Sequence, residues 1–423
     1  MPAVRTNKRT IDDLAVFGGR PAFSEKVHVG RPNVPDQKNF RKRVDQIFER
    51  RWFSNNGVCV QELERRLQDY LGVKHCIAVC NATVGLELAI RAFDLKGEVI
   101  VPSFTFVATA HALQWQEITP VFCDIDPQTH HLDPRIVKKM ITPYVTGIIG
   151  VHIWGRPCAI DELTALARHF KIKLIYDAAH AFGCSYKGKM IGNFGDAEVF
   201  SFHATKIFNT FEGGAIATNN DEVATKIRLM KNFGFSGYDR VIHLGVNGKM
   251  NEVSAAMGLT CLESIDYFIE ANRRNYELYR QRLARVPGLR LIDYGTENKV
   301  NYHHIVVEVD RKKVGLSRDQ LVRILQAENV MARRYFYPGC HRMEPYRSHW
   351  PQAGVFLKQT EALCDRVLIL PTGSAIGAKE IKTICDIIEC AIGKAGEARK
   401  RWPQIEQDSA SSHSNTAARL RAS

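Results

Sequence analysis

Lys206 stands in the stretch DAEVFSFHATKIFNTFEGGAIATN (Asp196 to Asn219), between a short apolar run, Ala197 to Phe202, and a second one, Ala215 to Thr218. Apolar runs bounded by glycine and polar clusters are the pattern of buried strands, so the lysine sits on the turn between two of them. A primary amine in a partly desolvated pocket has its charged form disfavoured; its pKa falls and it can condense with a carbonyl to give a Schiff base. Upstream, in KIKLIYDAAHAFG (Lys171 to Gly183), Asp177 lies just past the carboxyl end of a strand expected over Ile172 to Tyr176. Open α/β sheets place their ligands there. Taken singly, each residue has a plainer reading, an exposed loop lysine and an aspartate capping the next helix.

Together the pair resembles a pyridoxal phosphate site, in which a carboxylate bonds the protonated ring nitrogen and keeps the ring an electron sink while a lysine holds the aldehyde. Two further stretches fit. HCIAVCNATVGLELAIRAF (His75 to Phe93) reads as strand, sharp turn and helix, and a helix amino terminus offers unpaired N–H groups and a positive dipole end to a phosphate. VIVPSFTFVATAHAL (Val99 to Leu113) gives another strand and helix. The wording of these motifs, with HLGVNGKMNEVSAAMGL (His243 to Leu259), is similar to the DegT/DnrJ/EryC1/StrS sugar aminotransferases, within the fold-type I pyridoxal phosphate enzymes. The resemblance covers roughly Trp52 to Pro371, with the motifs in order.

That resemblance implies an α/β fold with a mostly parallel central sheet, helices on both faces and a smaller C-terminal α/β domain. It assigns Lys206 to the cofactor aldehyde and Asp177 to the ring nitrogen. Ala82 and Thr83 fall where the family opens its phosphate-binding helix, although a Ser-Gly-Thr triplet is usual there and this chain has Asn81, Ala82 and Thr83. Phe106 matches an aromatic stacked on the ring, Ser201 a phosphate ligand, and His180 a residue near the ring face or the Asp177 carboxylate. Glu212, Gly213 and Gly214 would set the turn behind Lys206, with Phe211 replacing a common glycine. Asn247 matches a residue that crosses a dimer interface to the other subunit's phosphate; Lys249 replaces an arginine beside it. Arg333 and Arg334, on a loop bordering the substrate cleft, are candidates for a diphosphate, and His152 and Gly155 are expected to line the cleft.

By the same analogy the amino donor is glutamate and the acceptor a nucleotide-linked keto sugar. The HATK-x-FNTFEGG wording points to carbon four of a dTDP-4-keto-6-deoxyhexose. A subset of the family with histidine at the Lys206 position performs dehydration, so lysine argues for amine transfer. Alternatives are amination of a keto-inositol or a 3-keto sugar, and a non-catalytic pyridoxal phosphate-binding regulatory protein.

Composition narrows the field. The chain has 423 residues, 45% of them hydrophobic, enough for a sizeable core. A net charge of +13 could favour an anionic partner; the basic residues are dispersed, without a stripe interleaved with aromatics, so no nucleic acid is expected. Neither a signal-type h-region nor a membrane span is legible, which argues for the cytoplasm and no membrane partner. Eleven scattered cysteines without a CxxC pair suit buried thiols and no metal site. The missing GxGxxG removes the main support for a dinucleotide-binding reading. The expected divisions are an arm over 1–38, a cofactor-binding domain over 39–263, a small domain over 264–400 and a disordered basic tail over 401–423.

Overall fold

The computed structural model describes residues 8–403 and 405. Seven strands form the central sheet: β1 (His75–Val79), β2 (Glu98–Pro102), β3 (Thr119–Cys123), β4 (Val145–Val151), β5 (Lys173–Asp177), β6 (Ala197–Ser201) and β7 (Gly214–Thr218). Their spatial order is β1-β7-β6-β5-β4-β2-β3. The run from β6 to β3 is parallel, and β7 lies antiparallel to both its neighbours. All five residues of β6 and of β7 are buried, as a sheet covered on both faces requires. Alternation of side chains sends Phe200 into the core on one face, with Leu63 and Phe268, and Val199 into the other, with Leu86 and Ile90.

Strand order reverses between β2 and β4: the crossover after β2 moves to β3 on one side, and the later strands β4, β5 and β6 stack on the other. A crevice opens at such a switch point, beyond the carboxyl ends of the strands. The segments leaving β2, β4, β5 and β6 therefore meet there.

The second domain carries the three-stranded antiparallel sheet β8 (Leu289–Leu291), β9 (Ile305–Val309) and β10 (Val367–Leu370), packed with helices Arg318–Ala327 and Ala378–Gly393. The arm joins this core: Ile11, Leu14 and Phe23 are buried in it, and Val27–His28 pairs in parallel with Val330–Met331. Buried Glu328 holds the arm by accepting from the amides of Ala15 (2.7 Å) and Ala22 (2.6 Å). A single helix, Ile265–Leu283, straddles the boundary expected at 264. Its first turns (Ile265, Phe268) pack in the large core, and Tyr276, Tyr279 and Leu283 pack in the small one.

At the other end, Trp402 is buried edge-on against Phe17, and Arg401 pairs with Asp12 at 2.5 Å. The segment expected to be a free tail thus begins packed, because a tryptophan and a paired arginine hold it to the arm. The rest of that expectation lies outside the described residues. Among the described residues no helix is long and apolar enough to cross a membrane, and no cluster of ligating side chains could hold a metal ion.

Candidate active site

Where β1 ends, Asn81 caps the helix Ala82–Ala92 by accepting from Val84 N at 2.9 Å. The cap leaves the amides of Ala82 and Thr83 without an acceptor among the described residues, and both residues line a cavity of about 400 Å³. A helix amino terminus with free N–H groups is an anion site. The neighbouring strand must be glycine here: a Cβ on Gly214 would lie 2.9 Å from Ala82 N and 2.7 Å from Phe200 O. Ser201, at the end of β6, adds a hydroxyl to the same wall.

Asp177 ends β5 and is buried. Its carboxylate accepts from Thr109 Oγ1 at 2.8 Å and Ala179 N at 3.0 Å, and Thr109 is in turn hydrogen-bonded to Thr105 at 3.1 Å. Burial raises its pKa above the ordinary aspartate value, opposed by the two hydrogen bonds and the charge of Lys206. No helix follows Asp177, so it caps a turn rather than a helix. His180, on that turn, lies nearly parallel to Trp154 and Phe336, with its ring centroid 4.4 Å from that of His304. Its Nδ1 is buried without a hydrogen-bond partner among the described residues. Burial, then the positive charge of Lys206, hold the imidazole well below its usual pKa, and it is neutral.

Lys206 projects from the loop between β6 and β7. The loop is fixed by its own backbone: Lys206 N donates to His203 O at 2.9 Å and Thr210 N to Phe202 O at 2.9 Å. Gly213 completes the turn, since a Cβ there would fall 2.0 Å from Thr210 Oγ1. Glu212 lies at the cavity edge, 3.4 Å from His203. The Lys206 amine has no hydrogen bond or ion pair among the described residues. Burial lowers its pKa to about 8, with Asp177 pulling the other way. At pH 7.5 about one amine in four is then neutral, against about one in a thousand for an ordinary lysine. The rate at which the cofactor-free protein captures pyridoxal phosphate should therefore rise with pH through a midpoint near 8. Stopped-flow absorbance checks this; a rate still climbing steeply above pH 9.5 would contradict it.

The crevice thus collects Ala82, Thr83, Phe106, Asp177, His180, Ser201 and Lys206 from separate parts of the chain. Phe106 is 59% exposed, its ring available to a flat ligand. A buried carboxylate, an uncharged-prone amine, an exposed aromatic and a free-amide helix end fit the polar and flat parts of pyridoxal phosphate. From the other domain come Arg333, Tyr335 and Phe336. Arg333 has no ion pair among the described residues and lies 5.1 Å over the Tyr335 ring, whereas Arg334 is paired with Asp319 at 3.1 Å.

Two cleft-lining expectations, His152 and Gly155, fall elsewhere, whereas Asn247 is expected at another subunit's phosphate. Asn247 is exposed and outside this chain's cavity, on a loop that reaches the end of β1 through Gly248 O and Cys80 N (2.8 Å). Lys249, beside it, donates to Asn232 at 2.9 Å. His152 does not line the cleft; it is buried between Glu198 (2.8 Å) and the Cys158 amide (3.1 Å). Gly155 is packed too tightly to line anything, because a Cβ there would meet Asn301 Oδ1 at 2.6 Å and His180 O at 2.8 Å. The sequence reading passed over Thr105 and Thr109, although two hydroxyls one helical turn apart beyond a strand end were a usable signal.

The sequence matches the DegT/DnrJ/EryC1/StrS aminotransferase family over residues 35–389. It is 38% identical over 368 residues to the dTDP-4-amino-4,6-dideoxy-D-glucose transaminase of Shigella dysenteriae, covering 86% of this chain and 99% of that protein. It is 36% identical over 373 residues to the GDP-perosamine synthase of Caulobacter vibrioides, covering 85% and 96%. Among solved structures, DesI in the presence of its TDP-sugar product superposes with a TM-score of 0.88 at 46% identity, over 93% of this chain and 100% of that one. By the family match over most of its length and the similarity to these relatives, the chain belongs to the DegT/DnrJ/EryC1/StrS family of pyridoxal phosphate-dependent sugar aminotransferases.

Proposed function

We propose that this enzyme transfers the amino group of glutamate to carbon four of a dTDP-linked 4-keto-6-deoxyhexose, giving a 4-amino-4,6-dideoxy sugar. The observation that carries this reading is the 46% identity, over essentially the whole of both chains, to DesI, whose structure was determined with a TDP-sugar product. The relative from Caulobacter is a GDP-sugar enzyme by name, so the test compares nucleotides directly.

Bound pyridoxal phosphate supplies an aldehyde for amine exchange and a ring that takes up the electrons left by α-proton loss. The residues of this chain do the rest. Asp177, kept ionised by Thr109 and the Ala179 amide, would hold a proton on the ring nitrogen. The Lys206 amine, about half of it neutral near pH 8, would take the donor's α-proton and return it on the other side of the transfer. The free amides of Ala82 and Thr83, with the Ser201 hydroxyl, would hold the phosphate; Phe106 would fix the ring plane, and neutral His180 would contribute no competing charge. Arg333, which lines the cavity and has no ion pair among the described residues, would meet the substrate's diphosphate. Offering the amino-loaded enzyme dTDP-, UDP- and GDP-linked 4-keto-6-deoxyhexoses, a 3-keto isomer and a keto-inositol, with mass analysis of products, decides the matter. The dTDP-4-keto sugar should be aminated fastest; turnover of the cyclitol alone would overturn the assignment.

The active unit in this reading is a homodimer with shared sites. Asn247 is exposed, the loops around it carry exposed Trp52, Phe53, Phe233 and Leu244, and exposed Phe48, in the last turn of the helix Gln37–Arg50, packs edge-on against Phe53. Asn55, Asn56, Asn232 and Lys249 line one small pocket, which makes these loops neighbours. Apolar surface of that kind rimmed by polar groups is typical of an interface. Mixing Lys206→Ala with Asn247→Ala subunits should restore activity to about a quarter of wild type, because half the dimers are hybrids and each hybrid has one intact site. Assays before and after reassortment check it; no gain on mixing would remove Asn247 from the partner's site.

A further inference from the structure

The arm does more than cover the small domain. After pairing through Val27–His28 it runs across to the loop that carries Lys206, and two contacts fix it there. Gly30, with φ of +73°, lies so close to Thr205 that a Cβ would sit 3.0 Å from that side chain. Asn33 is buried at 4% exposure and joins three segments. Its Nδ2 donates to Ile207 O at 3.1 Å, on the residue next to Lys206, and its own carbonyl accepts from buried Asn209 Nδ2 at 3.1 Å. Its Oδ1 accepts from Ser374 N at 3.1 Å and Ser374 Oγ at 2.8 Å, in the turn after β10. The amide has one orientation that satisfies both sides, because Ile207 O can only accept and Ser374 N can only donate.

The Ser374 turn is itself anchored. Asn275, on the helix that straddles the two cores, donates to Gly373 O at 3.0 Å and Thr372 Oγ1 at 3.3 Å. A continuous set of hydrogen bonds thus runs from that helix through Ser374 and Asn33 to the backbone one residue beyond Lys206. Nothing else buried and polar on the arm reaches the Lys206 loop among the described hydrogen bonds.

We propose that Asn33 is a positioning residue for Lys206, and that the small domain sets the place of the amine in the crevice through it. The inference rests on Lys206 being the residue that holds the cofactor. Misplacing a reacting group by about 1 Å can cost on the order of a hundredfold in rate with little change in binding. A purely structural asparagine would instead lower stability and leave the chemistry of the surviving folded protein alone.

The test uses Asn33→Ala, Asn33→Asp and Ser374→Ala in the full-length, pyridoxal phosphate-loaded enzyme. Asn33→Asp keeps acceptors for Ser374 but cannot donate to Ile207 O. For each, the pH midpoint of the bound cofactor's visible absorbance is titrated, and kcat and KM are measured for glutamate and for the keto sugar. Both Asn33 variants should move the midpoint by at least about half a pH unit and lower kcat at least about tenfold, with KM within about twofold. Ser374→Ala, which leaves the Ile207 bond in place, should shift both in the same direction but less. A lower melting temperature with midpoint and kcat unchanged in both Asn33 variants would overturn the proposal. Should one variant not fold, the other decides alone. A wild-type protein that develops no visible absorbance with pyridoxal phosphate would instead bring down the underlying assignment of Lys206.

Discussion

Lys206→Ala should lower turnover by at least about ten-thousandfold, since in the proposed mechanism both the covalent hold on the cofactor and the proton transfer would depend on this one amine. The fold should survive. Lys206 makes no hydrogen bond or ion pair among the described residues, and its loop is held by the backbone bonds of His203, Phe202 and Thr210, which alanine leaves in place. The lowered pKa adds a sign: burial disfavours the charged amine, so below a pH of about 8 the fold carries a protonated group at a cost that alanine does not have. Cofactor-free Lys206→Ala should therefore melt no lower than wild type at pH 7 by circular dichroism. Retained turnover would count directly against Lys206 as the catalytic amine; a collapsed fold would count against the loop's being self-supporting.

Asp177→Asn should be nearly as damaging to catalysis, by about a hundredfold to ten-thousandfold in kcat, and gentler on structure. The amide can still accept from Ala179 N, but it has no charge with which to hold a proton on a ring nitrogen, so the electron sink weakens. Stability goes the other way. A carboxyl whose folded pKa is raised contributes stability that is present below its unfolded pKa and lost as pH rises through the folded one; at pH 8 the buried charge of Asp177 is therefore unfavourable. Removing it should leave the cofactor-free protein at pH 8 as stable as wild type or more so, while single-turnover absorbance with glutamate slows. A variant with wild-type kcat would contradict the role given to the carboxylate.

How much of this was legible in the sequence differs by residue. Lys206 and Asp177 were readable as a pair, because apolar runs and turn residues mark the strand ends they follow and the motifs around them keep the family's order; either one alone reads equally well as an exposed loop lysine or a capping aspartate. The helix at Ala82 was readable from the strand, turn and periodic pattern, and its free amides follow from Asn81 spending its side chain on Val84. His152 was misread because a histidine beyond a strand looks the same whether it faces a cleft or a buried glutamate. Which one it faces depends on Glu198, 46 residues away. The same holds for Asn33, whose partners at Ile207 and Ser374 lie 174 and 341 residues along the chain. Pairings at such separations leave no local pattern. Asn247 is a different case, because any partner it has in another subunit is invisible to one chain's contacts.

The central claim is that Lys206 and Asp177 meet the same ring at opposite ends, with Lys206 making the covalent bond. Incubating the protein with pyridoxal phosphate, reducing with borohydride and mapping the modified peptide by mass spectrometry tests it most directly. A stable pyridoxyl group is expected on Lys206 alone, lost in Lys206→Ala and prevented when glutamate has first converted the bound cofactor. A label distributed over surface lysines, or placed on another single lysine, would contradict it.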